Sequence, residues 1–513
     1  MGADAFIADL IEANAARTPE ARAVECEDRS LTWGALVERI DRVVAALVAL
    51  GVAPGDKVAI LAPASVEYVA SFLGATAAGA CAVPLPASAS PDALRAMLLD
   101  SDAKVLLLGA DQRPLIAGFE AELADRLRGR LIAFDFAAPG WRGYDEWLDA
   151  APRGRPRPAL ADDLPFNIIY SSGTTGTPKG IVHSQNMRRR QAFRVGFDFD
   201  PASVTLLATP PYSNTTLIPM LSALCGGGPA ILMRKFDAGR YLALAEARRA
   251  THTMLVPVQY QRILAHPDFA RTDLSSFKVK QSTGAPFPAA LKCELLDRWP
   301  GRLLDLYGLT EGGCSCLLDA TRFPDKLHTV GRPAPDNDVR MIDEDGRVLP
   351  PGATGEVIGR NLYMMSGYHK RPDATEAMYW RDADGRIFHR TGDVGRFDED
   401  GFLVLLDRRK DVIISGGQNV YAADLEAVLA AHPDVADAAV IGVPSDAWGE
   451  TPLAFVVGRP GAALDAAALR DWTNARVGKM QRLSAVELRA ELPRSPLGKV
   501  LKRELRAPYW KDR

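Results

Sequence analysis

Eleven consecutive residues, Tyr170-Ser171-Ser172-Gly173-Thr174-Thr175-Gly176-Thr177-Pro178-Lys179-Gly180, carry the densest concentration of chemistry in the chain. Five Ser or Thr hydroxyls, three glycines and a lysine share that stretch. Glycine lets the backbone come close to an anion and turn its N–H groups toward it. The hydroxyls add donors, and Lys179 adds a mobile point charge. Such a loop is built to hold phosphates, those of a nucleotide first among them. It is not a Walker loop, because Pro178 precedes the lysine and Gly180 follows it.

The elements that must position this loop are strands on either side. Residues 165–170 read as a buried strand leading in, and Ile181-Val182 as a short strand leading out. Ser184 or Asn186 can cap the helix that follows, and His183 reads as a capping or packing residue rather than a base. Helical apolar periods at 38–50 and 66–78 alternate with strand-like runs at 57–61, 81–85, 104–108, 205–209, 230–233 and 254–257. This alternation predicts an α/β fold, a large N-terminal domain of layered, mostly parallel sheets. After about residue 331 the texture changes. Runs at 339–342, 355–358 and 386–406, with turns at 343–346 and 398–401, predict a β-rich subdomain over 331–406. The charged run 407–411 marks a boundary. Beyond it, helices at 422–431 and 466–476 and strands at 435–443 and 453–457 predict a small α+β C-terminal domain, 412–513.

Bulk properties narrow the class. With 513 residues the chain exceeds what one core usually serves. A formal net charge of −3 argues against a nucleic-acid partner. The six cysteines are scattered, and Cys314-x-Cys316 has no second pair to complete a zinc site, so a reduced, cytoplasmic chain is expected. Residues 1–10 do not read as a signal peptide. The longest apolar run, 68–85, is rich in small residues and contains Pro84. It suits a buried helix entering a strand rather than a membrane span.

Further motifs follow the phosphate loop in fixed order. They are Asp305-Leu306-Tyr307-Gly308-Leu309-Thr310-Glu311, Thr391-Gly392-Asp393, and Asp407-Arg408-Arg409-Lys410-Asp411. Ser415-Gly416-Gly417-Gln418 and Pro493-Arg494-Ser495-Pro496-Leu497-Gly498-Lys499 complete the series. Together they resemble the adenylate-forming superfamily: acyl- and aryl-CoA synthetases, stand-alone adenylation domains of peptide synthetases, and luciferases. Carboxylate–CoA ligases are the nearest branch, and the resemblance spans essentially the whole chain.

The resemblance implies a two-step reaction with ATP, Mg²⁺ and coenzyme A. A carboxylate is joined to AMP with loss of pyrophosphate, and a thiol then displaces AMP. On this pattern Ser171, Ser172, Gly173, Thr174, Thr175, Gly176, Thr177 and Lys179 hold the β- and γ-phosphates. Thr310 meets the α-phosphate and Glu311 the Mg²⁺ ion. Tyr307, with Leu306 and Gly308, lies against adenine, and Asp305 or nearby backbone reads its amine. Ser282-Thr283-Gly284-Ala285-Pro286 resembles the other adenine wall. Asp393 takes the ribose hydroxyls, with Arg408 beside it. Lys499 bridges carboxylate and α-phosphate as the catalytic lysine. Lys410 matches the hinge within 407–411, separating 1–406 from 412–513. Ser415, Gly416, Gly417 and Gln418 line the pantetheine tunnel. Trp448-Gly449-Glu450 matches a further family segment.

For the acyl pocket the resemblance points to Tyr212, Ser213, Asn214, Thr283, Gly313 and Cys314. Many relatives carry histidine just after the aromatic, where this chain has Ser213 and Asn214. No acid occurs between Thr209 and Met233, which argues against an amino-acid substrate with its buried ammonium. The small residues after Glu311 suggest room for an aromatic, alicyclic or short-to-medium aliphatic acid. A carrier-protein phosphopantetheine is the second acceptor to consider, and a homodimer is left open.

Overall fold

The computed structural model of the protein describes residues 5–154, 156, 158–171, 178–193, 197–409, 411–415, 418–495 and 498–510. Among them, two mixed, mostly parallel sheets form the body of the molecule. A nine-stranded sheet runs, in spatial order, from Arg332–Pro333 through Ser315–Asp319, Arg302–Gly308, Val279–Ser282, His252–Leu255, Thr205–Leu207 and Ala230–Leu232 to Arg22–Cys26 and Arg29–Thr32. An eight-stranded sheet is centred on Pro165–Ser171, Cys81–Pro84, Lys57–Leu61 and Ala103–Leu108.

Helices fill the space between the sheets. Val66–Ala77 is mostly apolar and buried almost throughout, the pattern of a helix enclosed by protein, and its one charged residue, Glu67, pairs with Arg29 and Arg39. Ser65 caps it by accepting from the Tyr68 N–H at 3.0 Å, and Thr32 caps Trp33–Ala49 in the same way at 3.2 Å. One continuous core joins these helices and Asn214–Gly226 to Val24 and Leu207 of one sheet and to Val58 and Ile60 of the other. Helices Ala238–Ala247, Pro257–Leu264 and Ala289–Arg298 cover the outer face of the first sheet, and Pro91–Asp100 packs outside the second. The layers therefore alternate helix, sheet, helix, sheet, helix.

The β-rich part is an antiparallel sheet of Asp338–Ile342, Gly355–Arg360, Ile387–Phe397, Tyr379–Arg381 and Leu403–Arg408. The last sheet contains Ile413–Ser415, Gln418–Val420, Val435–Ser445, Gly449–Gly458 and Ala485–Leu488, with helices Ala422–Ala430 and Ala466–Asn474 packed on it. The strand expected at 453–457 is longer. Gly449–Gly458 pairs along its whole length with Val435–Ser445, and that ladder carries the polar start Glu450-Thr451 into the strand. Among the described residues no helix is long and apolar enough to cross a membrane, and residues 68–85 form the expected helix and strand.

Candidate active site

The site lies where several strands of the large sheet end together. Thr205–Leu207, His252–Leu255, Val279–Ser282 and Arg302–Gly308 are parallel neighbours, so their C-terminal ends open on one edge. That edge is where open α/β sheets present ligands. It delivers residues 282–286 and 307–311 side by side.

Strand register in the β-rich sheet sets Asp393 opposite Arg408. The Arg408 Nε–H donates to Asp393 Oδ1 at 2.6 Å, and the Tyr307 hydroxyl donates to Oδ2 at 2.6 Å. Two motif residues on one sheet and one on another thus converge, although 86 positions separate Tyr307 from Asp393. Asp393 is buried. Burial pushes its carboxyl above the usual carboxylate range, against the pull of Arg408, the Tyr307 hydroxyl and the charge of Lys499. Thr391 fixes the turn by accepting from the Asp393 N–H at 3.0 Å.

Asp305, expected to read adenine, is otherwise engaged. Its carboxylate meets Lys292 Nζ at 2.7 Å beneath the strand, and both groups are buried. Lys292 also donates to the carbonyls of Leu327 and Thr329 at 3.0 and 3.1 Å. The pair anchors the strand that carries Tyr307. Leu306 points into an apolar cluster with Met254 and Leu304, and its carbonyl accepts from the Thr283 hydroxyl at 2.8 Å. Gly284, Pro286 and Gly308 are exposed at the edge, and Ala285 is half-buried.

On the phosphate side, Ser171 and Lys179 pair at the mouth of the antiparallel strands Pro165–Ser171 and Lys179–Ser184. Ser172, Gly173, Thr174, Thr175, Gly176 and Thr177 lie outside the described residues, as does the Ser171 side chain. Gly367–Tyr368 adds a short strand against Ile181 and Val182. This brings Lys179 Nζ to 5.3 Å from the centre of the Tyr368 ring. The Tyr368 hydroxyl donates to Glu311 Oε1 at 2.8 Å. Lys179, Tyr368 and Glu311 thereby form one cluster. Tyr368 carried no sequence signal, since it lies 57 positions from Glu311 and outside every motif. Among the described residues only one Glu311 oxygen is engaged, and no group of three metal-ligating side chains is gathered. One carboxylate fits a Mg²⁺ ion held chiefly by phosphate oxygens and water.

Lys499 projects from a tight hairpin. Arg494 bridges Val500, the Gly498 N–H donates to the Ser495 carbonyl at 2.8 Å, and the Ser495 N–H donates to the Lys499 carbonyl at 2.8 Å. Arg494 ties the hairpin to its own domain through Asp437 and the Gly498 carbonyl. Gly498 has φ +79°, and a Cβ there would stand 2.8 Å from Val258 Cγ1 on a helix of the large domain. The hairpin is therefore docked on the large domain, with Lys499 exposed beside the site and its charge felt at Asp393.

The acyl side departs from expectation. A Cβ on Gly313 would stand 2.9 Å from the Gly359 carbonyl oxygen and from His389 Cβ, and Cys314 is buried in the β-rich core with Met341, Val357 and Leu403. The β-rich sheet packs against both residues, and that packing accounts for their small size. Tyr212 is half-buried, with its hydroxyl 3.1 Å from that of Ser88. Ser213 is buried and donates to the Pro210 carbonyl. Asn214, first residue of Asn214–Gly226, accepts on Oδ1 from buried Arg188 at 2.9 Å. Ser184 caps Gln185–Ala192 as expected, accepting from the Met187 N–H at 3.2 Å. His183 is wholly buried and bonded at both ring nitrogens.

In the small domain Ser415 pairs with Gln418 across the antiparallel strands Ile413–Ser415 and Gln418–Val420; Ser415 is buried and Gln418 exposed. Gly416, Gly417 and Lys410 lie outside the described residues. Ser415 also pairs with Gly449, which brings the exposed side chains of Ile414 and Trp448 to the same end of the sheet.

This arrangement can hold a nucleotide by base, ribose and phosphates and can bring a lysine from a second domain to it. Comparison with known proteins agrees. Residues 11–369 match the model of the AMP-binding enzyme family, and residues 424–499 match the AMP-binding enzyme C-terminal domain. A feruloyl-CoA synthase of Amycolatopsis sp is 36% identical over 497 residues, covering 96% of each chain. The fatty acid–[acyl-carrier-protein] ligase ScoC of Streptomyces coeruleorubidus is 32% identical over 509 residues, 97% of this chain and 95% of that one. The crystal structure of ATP-bound MatB from Rhodopseudomonas palustris superposes with a TM-score of 0.87 at 29% identity, covering 98% of this chain and 99% of that one. The chain belongs to the AMP-binding, adenylate-forming enzyme family and is an AMP-forming acid–thiol ligase of the acyl-CoA ligase type.

Proposed function

We propose that the chain activates an aromatic, alicyclic or short-to-medium aliphatic carboxylic acid as its acyl-adenylate and then forms the acyl-CoA thioester. The observation that carries this reading is the convergence of Tyr307, Asp393 and Arg408 with Lys179, Tyr368 and Glu311 beneath a docked Lys499.

In the first step a carboxylate oxygen attacks the α-phosphorus of ATP, and the bond to the bridging oxygen of pyrophosphate breaks. Asp393 and Tyr307 orient ribose and base, and Lys179 offsets charge on the leaving pyrophosphate. Lys499 sits between the two anions and stabilises the charge shared as they join. Mg²⁺ held at Glu311 would neutralise phosphate charge. In the second step the thiol sulfur attacks the acyl carbon, the bond to AMP breaks, and the thiol proton goes to solvent. For this step the domain 412–513 turns about Lys410 in 407–411, relative to 1–406 with its subdomain 331–406. The Ser415–Gln418 pair, with Ile414 and Trp448 at the same end of the sheet, then offers a partly apolar wall to the pantetheine arm. The name of the feruloyl-CoA synthase supports an aromatic acid and CoA. That of the acyl-carrier-protein ligase supports the second reading, transfer to a carrier-protein phosphopantetheine.

Acid-dependent ATP–pyrophosphate exchange over a panel of such acids tests the proposal, with coenzyme A added afterwards. Lys499→Ala is expected to lower exchange by about a hundredfold or more, the scale of losing one preorganised charge at a transition state. Exchange without thioester formation would favour the carrier protein. Exchange unchanged in Lys499→Ala would overturn the role given to that lysine.

A further inference from the structure

Behind the phosphate strands lies a polar chain that no motif contains. Arg188 is fully buried on Gln185–Ala192. Its Nε–H donates to Asn167 Oδ1 at 2.7 Å, and one terminal nitrogen donates to Gln191 Oε1 at 2.7 Å. The other lies 2.8 Å from His183 Nδ1 and 2.9 Å from Asn214 Oδ1. These four acceptors sit on the strand entering the phosphate loop, the strand leaving it, the helix after it, and the head of Asn214–Gly226.

Donor and acceptor roles follow from chemistry. A guanidinium only donates, so His183 Nδ1 must be the acceptor. The imidazole proton is then on Nε2, which lies 2.8 Å from the Thr310 carbonyl oxygen and donates to it. Asn167 Nδ2, 3.3 Å from His183 Nδ1, meets the same lone pair. Burial and the Arg188 charge hold the imidazole well below its ordinary pKa, so it stays neutral and keeps this tautomer. By the same logic Asn214 must accept with Oδ1, which leaves its Nδ2 donors facing away from Arg188.

The turn receiving this hydrogen bond bears Thr310 and Glu311. It is held on its other side by the Met365 N–H, which donates to the Glu311 carbonyl at 2.8 Å, and by Tyr368 on the carboxylate. Without His183 the Thr310 carbonyl would lose its buried partner, and the turn would be fixed from one side only.

We propose that His183 and Arg188 are positioning residues for adenylation: a buried hydrogen-bond chain, in which Arg188 donates to Asn214 on the acid side and to His183, and His183 donates to the Thr310 carbonyl, keeps the Thr310–Glu311 turn in register with the acid-binding wall. The inference rests on the proposed function. It predicts that acid and MgATP sense each other through this chain, because Asn214 and Thr310 share one rigid connection.

The test compares His183→Leu with His183→Gln, whose amide can accept from Arg188 and donate to Thr310. Both are screened by thermal melting, by MgATP binding with and without the acid, and by ATP–pyrophosphate exchange. We expect His183→Leu to lose about tenfold or more in exchange kcat, with the KM for ATP within threefold, the scale of one buried hydrogen bond that matters in the transition state. His183→Gln should recover most of that loss. Asn214→Ala, at a half-exposed end of the chain, should weaken the mutual effect of acid and MgATP while leaving the melting temperature near wild type, and it serves if His183→Leu fails to fold. Wild-type kcat in folded His183→Leu, or a His183→Gln defect equal to that of His183→Leu at equal stability, would overturn the proposal. So would undiminished coupling in Asn214→Ala. Wild-type protein that exchanges with no acid sinks the functional reading instead. In that case amide hydrogen exchange of the Thr310–Glu311 turn, faster in His183→Leu and restored in His183→Gln, still decides the positioning role, and unchanged amide exchange in folded His183→Leu would overturn it.

Discussion

Asp393 receives the Tyr307 hydroxyl on one oxygen and the Arg408 guanidinium on the other, and while ionised it can take ribose hydroxyls on the remaining lone pairs of both oxygens. Burial raises its pKa. On acidification it therefore picks up its proton at a higher pH than an exposed carboxylate would, and from that pH downward one oxygen becomes a donor and the charge that strengthens the ribose hydrogen bonds is lost. The KM for ATP should climb on the acid side of neutrality while the protein remains folded. Asp393→Asn should show a KM for ATP raised about ten- to a hundredfold, the range for a charge-assisted hydrogen bond, and should flatten that acid limb. A parallel acid limb in wild type and variant, measured by exchange against pH, would show that another group titrates.

At the scale of elements, the strand Arg302–Gly308 depends on a pair the sequence only half reveals. Lys292 occurs in phase with Leu295 on the buried face of Ala289–Arg298, a position that reads as apolar. A lysine there signals a buried partner but does not name it, and the partner, Asp305, was assigned to adenine by its motif. Removing one member leaves a buried charge uncompensated. Lys292→Met should cost about 3–5 kcal/mol of stability, read by denaturant unfolding, and Asp305→Leu in the same chain should restore much of it. Additive losses in the double variant would show that the two side chains do not act as a pair.

The same contrast runs through the whole comparison of sequence and structure. Strands such as Lys57–Leu61 and helices such as Val66–Ala77 were legible to within a residue or two, because short-range apolar periodicity encodes them. The motif residues Tyr307, Asp393 and Lys179 stood out in the sequence because motif residues sit at fixed offsets within one turn or strand. Tyr368, the His183–Arg188 chain and the packing of Gly313 and Cys314 were not. Each depends on segments dozens of residues or more apart meeting in three dimensions, and a small residue reads the same whether it clears a pocket or admits a neighbouring strand.

At the scale of the whole molecule, the proposed two-step reaction requires one small domain to present Lys499 for the first step and the paired residues Ser415 and Gln418 for the second. The structure has the lysine hairpin docked, and Gly498 makes that docking close: φ is +79° and the space beside its Cα is filled by Val258. A side chain at 498 meets two penalties, about 1–2 kcal/mol for a left-handed backbone and a clash across the domain interface. The clash exists only in the docked arrangement, because Val258 belongs to the large domain. Gly498→Val should therefore slow acyl-adenylate formation by at least about tenfold while sparing thioester formation from a supplied acyl-adenylate, for which the hairpin need not be docked. Val258→Ala in the Gly498→Val background should recover part of the first step by making room, and the backbone penalty should remain. Equal slowing of both half-reactions would mean that the strained hairpin, rather than the docking contact, limits the enzyme, and Val258→Ala would then restore nothing.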